Sequence, residues 1–340
     1  MKNCDKDIRA YHREEVALTS IQRGTLKDRR DSNRKRLRSG LEKRRGPSPI
    51  GSVSQGSYAM RTVTQEPNNA YDIDDGVVFD AATLKGPRGA ERSALDVRKM
   101  VCAAVHSDAF VSPPEVKTNC VRVFYNDGPH VDIPVYRQRE DWSGEVWYEL
   151  ASSDWKKSDP NGVNDWFKNW LDRNRSSERR HSRELIRLLK SFCKNRPSYS
   201  LPSGFVITTL VKECYDMGDD RLDIEFLQIA KRILDLLGIN PYVRHPVVVG
   251  EWIIDAENEH QSRNLCKLLE RAVDDLAELD LPNCTRSKAL KAWKKVFHTN
   301  FFDKRIAEAE KKEKTSSKAR IAALISAPKP YASKGYEEIG

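Results

Sequence analysis

Apolar and polar positions alternate most regularly between residues 121 and 136. Val121 to Tyr125 reads as a strand, Asn126-Asp127-Gly128-Pro129 as a turn, and His130 to Tyr136 as a second strand with Val131, Ile133 and Val135 on one apolar face. Successive side chains on a strand point to opposite faces, so Asp132 falls on the other side. Asp72-Ile73-Asp74 repeats the pattern, with two carboxylates projecting together and Ile73 turned inward. Between these strands, Ala90 to His106 carries Leu95, Val97, Val101 and Val105 at helical spacing, so a helix packs on the sheet. Glu145 to Ala151 adds another strand. Ser158-Asp159-Pro160 signals a turn and a helix start, after which Trp166, Phe167 and Trp170 share one side of a helix, a spacing more often core than a base-stacking platform.

From Asn174 to about Phe302 the pattern is helical throughout. Leu185, Ile186, Leu188, Leu189 and Phe192 turn inward, a further helix begins after Pro202, and Leu290, Trp293, Val296 and Phe297 mark the last packed helix. His245, in an apolar connection, reads as structural. Upstream, Ile8, Tyr11, Val16, Leu18, Ile21, Leu37 and Leu41 form a thin apolar stripe interrupted near Gly24, with Thr25 expected to cap a second helix and Gly40 and Gly46-Pro47 to close it. Beyond 302 the apolar periodicity fades into Lys, Ala, Ser and Pro, the composition of a mobile tail. The expected class is α+β: a basic N-terminal helical segment packed along the body (1–48), a mixed-sheet palm with packed helices (49–170), a helical lobe (171–302) and a flexible tail (303–340).

Charge sharpens this division. Residues 1–48 hold 15 Lys/Arg against 7 Asp/Glu, residues 303–340 hold 9 against 6, and residues 49–302 hold 35 against 37. The basic character belongs to the ends, and a near-neutral body argues against a long nucleic-acid groove. The run RDSNRKRLRSGLEKRR either contacts polyanions or is a packed helix with a solvated outer face, the commoner arrangement. Seven scattered cysteines without a C-x-x-C pair suit a reducing compartment. A start too charged for a signal peptide, and no apolar run near the ~18 residues of a membrane span, point to the cytoplasm and to no membrane partner.

The candidate chemistry lies in QGSYAMRTVTQEPNNAYDIDDGVVF, residues 55–79. Asp72 and Asp74 repel one another unless a cation lies between them, and Mg²⁺ suits such oxygen ligands when substrate phosphates complete the site. Gly56 lets the backbone approach a phosphate, and the Ser57 hydroxyl can donate to it. If the Asp132 strand lies beside the Asp72/Asp74 strand, three carboxylates converge and hold two ions, Mg²⁺ or alternatively Mn²⁺, which is the arrangement for in-line nucleotidyl transfer. Asp75 points to the opposite face and reads as a strand-end or turn carboxylate. A Walker-type phosphate loop is absent from the sequence.

The blocks QGSYAMRT, YDIDDG, HVDIPVY and DWKKSDPNGVNDWF resemble, in the same order, segments of the polymerase-β-like nucleotidyltransferases, specifically the DncV branch of the bacterial cGAS/DncV-like enzymes (CD-NTases) of CBASS anti-phage systems. The similarity runs over roughly residues 50 to 300. The resemblance implies a polymerase-β-like palm with a helical lobe. It further implies an enzyme that joins NTPs, ATP with GTP or another, into a cyclic di- or trinucleotide of cGAMP type, which a downstream effector senses. It places Gln55, Gly56 and Ser57 at the nucleotide, Lys190 at the triphosphate and Ser203 towards the base, although a solvated lysine and a helix cap are the ordinary readings of the last two. In type II systems a ubiquitin-transfer-like partner joins the synthase's C-terminal residue to a target, which makes Gly340 a candidate conjugation site. Two other classes stay open: a non-cyclising nucleotidyltransferase that tails RNA or adenylylates a small molecule, and a non-catalytic nucleic-acid-binding protein.

Overall fold

Alternating strands around one apolar layer give the body its sheet. The computed structural model describes residues 1–65, 72–86, 88–108, 110–216, 218 and 220–326, with side chains as far as 318. The sheet contains β1 (Gly51–Gln55), β2 (Asp72–Asp80), β3 (Glu115–Val116), β4 (Val121–Phe124), β5 (His130–Ile133), β6 (Val135–Glu140), β7 (Val146–Ala151) and β8 (Trp155–Ser158). Its order is β3-β4-β5-β2-β6-β7-β8, with β1 antiparallel on β2. β5 and β6 both run parallel to β2 and are separated only by Pro134, which has no N–H for a ladder and so breaks one strand into two. β8 is a strand that the Ser158-Asp159-Pro160 signal does not reveal.

Helices cover this sheet. α1 (Asp5–Tyr11) leads through a short π-helical turn, His12–Val16, to α2 (Ser20–Lys43). α2 is continuous through Gly24, and its cap is Thr19 in a capping box with Gln22, not Thr25, whose hydroxyl instead donates to the Ile21 carbonyl. A mid-helix Gly costs about 1 kcal/mol, and the burial of Leu26, Leu37 and Leu41 offsets it. Gly40 does not end the helix either. It is the point where α2 crosses α4 (Ala94–Val105), and a Cβ there would lie 1.9 Å from the Ala104 carbonyl oxygen. Leu37 and Leu41 join Val97, Val101, Val105, Val121, Val131 and Ile133 in one core.

The basic face of α2 is spent largely on the palm. Arg29 lies over the Tyr125 ring and Arg36 over Phe110, while Arg34 donates to both oxygens of Asp75. Asp75 is therefore neither a strand-end nor a turn carboxylate. It is buried in the middle of β2, held on the reverse face by Arg34 and the Ser54 hydroxyl.

Past the short α3 (Gly56–Ala59), the chain continues as α5 (Pro160–Asp172), α6 (Ser176–Lys194), α7 (Gly204–Cys214), α8 (Leu222–Ile239) and α9 (His260–Ala277). Asp159 caps α5 by accepting from the Gly162 N–H. The expectation of helix throughout 174–302 fails at the hairpin of β9 (Val243–Arg244) and β10 (Trp252–Ile254), where a Pro-rich, β-branched run favours extended backbone. His245 has the structural role expected, its Nδ1 accepting from the Val247 and Val248 amides.

Contacts divide the chain into two units, Asn3–Val273 and a second unit made of Met1–Lys2 with Asp274–Gly340. The second contains α10 (Arg286–Phe297) and α11 (Asp303–Ser326). Helix therefore replaces the expected tail as far as Ser326, because Phe302, Ile306 and Ala309 recur at helical spacing and are buried, and Glu313 accepts from the Ser287 N–H and hydroxyl. Gly340 lies outside the described residues.

Candidate active site

Register on four strands sets the site. Gln55 on β1 faces Asp74 on β2, Asp74 faces Asp132 on β5, and Asp132 faces Arg122 on β4. Two residues along, Asp72 faces His130. The strand carrying Asp132 thus lies directly beside the Asp72/Asp74 strand, parallel to it.

Among the described residues, Asp72, His130 and Asp132 can each bring one ligand atom within 4.8 Å of the others. His130 Nε2 lies 3.7 Å from Asp72 and 3.9 Å from Asp132, is itself buried, and has no hydrogen-bond partner. Arg122 fixes the plane of Asp132 through bonds of 2.7 and 2.6 Å. Burial first, then the negative charges of Asp72 and Asp132, push the Asp74 carboxyl up to about 7. A crowd of carboxylates with one member forced towards its neutral form, beside an imidazole nitrogen lacking a partner, is a donor set that a divalent cation fits.

Gly56 opens α3 in the left-handed region at φ +62°, and a Cβ there would lie 2.1 Å from Oδ2 of Asp74. Gln55 precedes it, its side-chain carbonyl accepting from the Tyr136 hydroxyl at 3.0 Å. A cavity of 340 Å³ extends from Gly56, Ser57, Asp72 and Asp74 across to Lys190 and Lys194 of α6 and to Gly204, Phe205 and Thr208 of α7. Lys190 is buried, not solvated. Its ammonium donates to the Thr62 hydroxyl at 3.0 Å, and burial, followed by repulsion from Lys194 and Arg187, lowers it to about 7. Ser203 caps α7, accepting from the Val206 N–H, and its neighbours Gly204 and Phe205 are the residues that line the cavity.

Sequence reasoning missed His130, Thr62 and Lys194. His130 stands two residues before Asp132, so strand alternation already places both on one face. Thr62 carries no local signal, because only tertiary packing brings it to Lys190.

A glycine-serine turn set against carboxylates on adjacent strands of a mixed sheet, with a lysine across the cavity, is the arrangement expected of a nucleotidyltransferase. Residues 52–136 match the family described as "Cyclic GMP-AMP synthase DncV-like, nucleotidyltransferase domain". The chain thus carries a cGAS/DncV-like nucleotidyltransferase domain. Solved structures share its fold. E. coli CdnC with ATP is 17% identical with a TM-score of 0.65, over 87% of this chain and 98% of that one. A mutant of the Vibrio cholerae di-nucleotide cyclase DncV in a complex that includes ATP and GTP is 17% identical with a TM-score of 0.69, over 86% and 94%. DncV with the linear intermediate 5' pppA(3',5')pG is 18% identical with a TM-score of 0.66, over 84% and 93%.

Proposed function

We propose that the protein is a cyclic oligonucleotide synthase that joins NTPs with release of pyrophosphate, its palm formed by residues 49–170 and its helical lobe by 171–302. The observation that carries this reading is the Gln55–Asp74–Asp132 row with Gly56 pressed against Asp74 in a cavity closed by Lys190. The relatives solved with ATP, GTP and a linear dinucleotide support nucleotides as substrates.

In this mechanism Gly56 allows the triphosphate to approach the backbone, and the Ser57 hydroxyl donates to its β- and γ-phosphates. Lys190 balances phosphate charge from the opposite wall. Asp72, Asp74 and Asp132 would hold divalent cations, Mg²⁺ from the oxygen-rich character of three carboxylates, and these would supply charge neutralisation at the phosphates and activation of an acceptor hydroxyl. Arg122 keeps Asp132 in the plane this requires. Catalysis is mainly positioning and charge neutralisation, so rigid strand-borne carboxylates suffice. Re-entry of a linear product in the reverse orientation closes the ring. Gln55 orients the turn, and Ser203 acts through the α7 cap that presents Gly204 and Phe205.

The purified protein incubated with all four NTPs and Mg²⁺, analysed by mass spectrometry, is expected to yield a cyclic di- or trinucleotide and pyrophosphate. Linear product only, or dependence on an added acceptor, would favour the tailing or adenylylating alternative. A role in anti-phage defence, an effector that senses the product, and conjugation through Gly340 follow from the same reading. Deleting Gly340 is expected to abolish conjugation in cells that contain the transfer partner.

A further inference from the structure

A second and larger cavity, 730 Å³ against 340 Å³, is lined by Ala59, Met60 and Arg61, just past the Gly-Ser turn in the chain, with Met60 lining both. Seven Arg/Lys side chains line it against two carboxylates, Asp165 and Asp172. Three of the cations, Arg179, Arg183 and Arg187, recur every four residues along α6 and so form one stripe. The same helix continues into Lys190 and Lys194 of the catalytic cavity. Among the described residues little of this charge is balanced nearby: Arg179 reaches Asp172 at 3.3 Å, and the exposed Arg180 reaches Glu184 only at 3.9 Å. Burial first, and then Arg23 and Arg183 acting against the pull of Glu184, brings Arg187 down to about 10.

Two arginines of the stripe also hold the turn. Arg183 Nε donates to the Met60 carbonyl at 3.1 Å and Arg187 Nη1 to the Arg61 carbonyl at 2.6 Å. Arg61, whose own side chain lines the cavity, has a left-handed backbone at φ +57°. The cationic wall and the residues that follow the phosphate-facing turn therefore share one length of backbone.

We propose that this cavity is a binding site for a small polyphosphate, either pyrophosphate or the phosphate chain of a nucleotide, linked to the catalytic cavity through Met60 and Arg61. Guanidinium forks match phosphate oxygens in pairs. Each guanidinium has five N–H donors, so Arg183 and Arg187 can bind phosphate while still holding the two carbonyls, and occupancy stiffens the turn. The small ligand is favoured over nucleic acid because residues 49–302 carry 35 Lys/Arg against 37 Asp/Glu. Positive charge is gathered in one concavity instead of spread along a face that a phosphate backbone could track. The link to catalysis rests on the phosphate-cradle reading of Gly56-Ser57, whereas binding itself does not, so absence of a cyclic product would leave the binding result intact.

Calorimetric titration of the full-length protein with tripolyphosphate in EDTA tests this. Two sites are expected: Lys190→Met weakens one, and Arg179→Glu with Arg180→Glu weakens the other at least tenfold. Arg179→Ala, a milder change with an unaltered circular dichroism spectrum, is expected to show a smaller loss at the same site. Pyrophosphate binding more tightly than ATP identifies the reaction product as ligand, and the reverse order identifies a nucleotide. Hydrogen exchange across residues 57–61 is expected to slow on occupancy of the arginine site in Lys190→Met protein. A single site insensitive to the arginine substitutions, or a nucleic-acid duplex that binds through these arginines where tripolyphosphate does not, overturns the proposal. Unchanged exchange overturns the link.

Discussion

Gly56 and Asp74 stand against each other so closely that no side chain fits between them: a Cβ on residue 56 would lie 2.1 Å from Oδ2 of Asp74. The left-handed backbone at φ +62° gives a second, independent reason for glycine. Gly56→Ala should therefore displace the carboxylate or flatten the turn. A misplacement near 1 Å can cost about 100-fold in rate, so product formation is expected to fall about that much while the circular dichroism spectrum is retained. Activity within twofold of the parent protein would show that this contact does not position the site.

Replacing Asp72 and Asp74 together by alanine is expected to abolish nucleotide joining without loss of fold, because neither side chain contributes to the apolar core around Ile73. The assay is mass spectrometry of the NTP reaction beside a thermal melt. Residual turnover above background in a folded double variant would refute the assignment.

The Asp74 carboxyl, raised to about 7 by burial and its acidic neighbours, makes a signed prediction. Between about pH 4 and 7 the folded state holds a proton that the unfolded chain releases, so without metal this group's contribution to stability declines as pH rises through that window and stays lost above it. Asp74→Asn should remove that penalty and raise metal-free stability at pH 8 by about 1–3 kcal/mol, read from denaturant midpoints. Metal binding by the parent protein should weaken below pH 7, as protons compete for the same carboxylate.

Gly40→Ala tests the α2–α4 crossing. With the Ala104 carbonyl oxygen 1.9 Å from the new methyl, the helices must separate, at a cost of about 1–3 kcal/mol or more. A lower unfolding midpoint with unchanged activity per folded molecule is the expected result.

Local pattern carried the carboxylate-bearing strands. Period-two alternation located Asp72, Asp74 and Asp132, because a half-buried strand leaves little freedom in which face a side chain takes. The same alternation exposes His130, but its approach to Asp72 depends on β5 lying parallel to β2, a pairing between distant segments with no local signature. Asp75 escapes a local reading for a related reason, being fixed by Arg34 far away in sequence, and the burial of Lys190, expected at the triphosphate, likewise depends on distant Thr62. Gly24 and Gly40 look like helix ends by propensity, yet packing of Leu37, Leu41 and Ala104 outweighs a preference of about 1 kcal/mol. The second unit differs because Phe302, Ile306 and Ala309 are sparse among lysines and glutamates, too thin a stripe to stand out from a polar background.

The long crossing helix also decides what can be cut away. Leu37, Leu41 and Arg34 belong to the interior of the nucleotidyltransferase domain as much as any strand residue, so residues 52–136 on their own would be left with an open apolar wall and, at Asp75, a buried anion deprived of its guanidinium. A truncation that keeps Asp72, Asp74 and Asp132 but begins after Lys43 should therefore aggregate before it can be assayed, and the smallest autonomous fragment must start no later than the Thr19 cap.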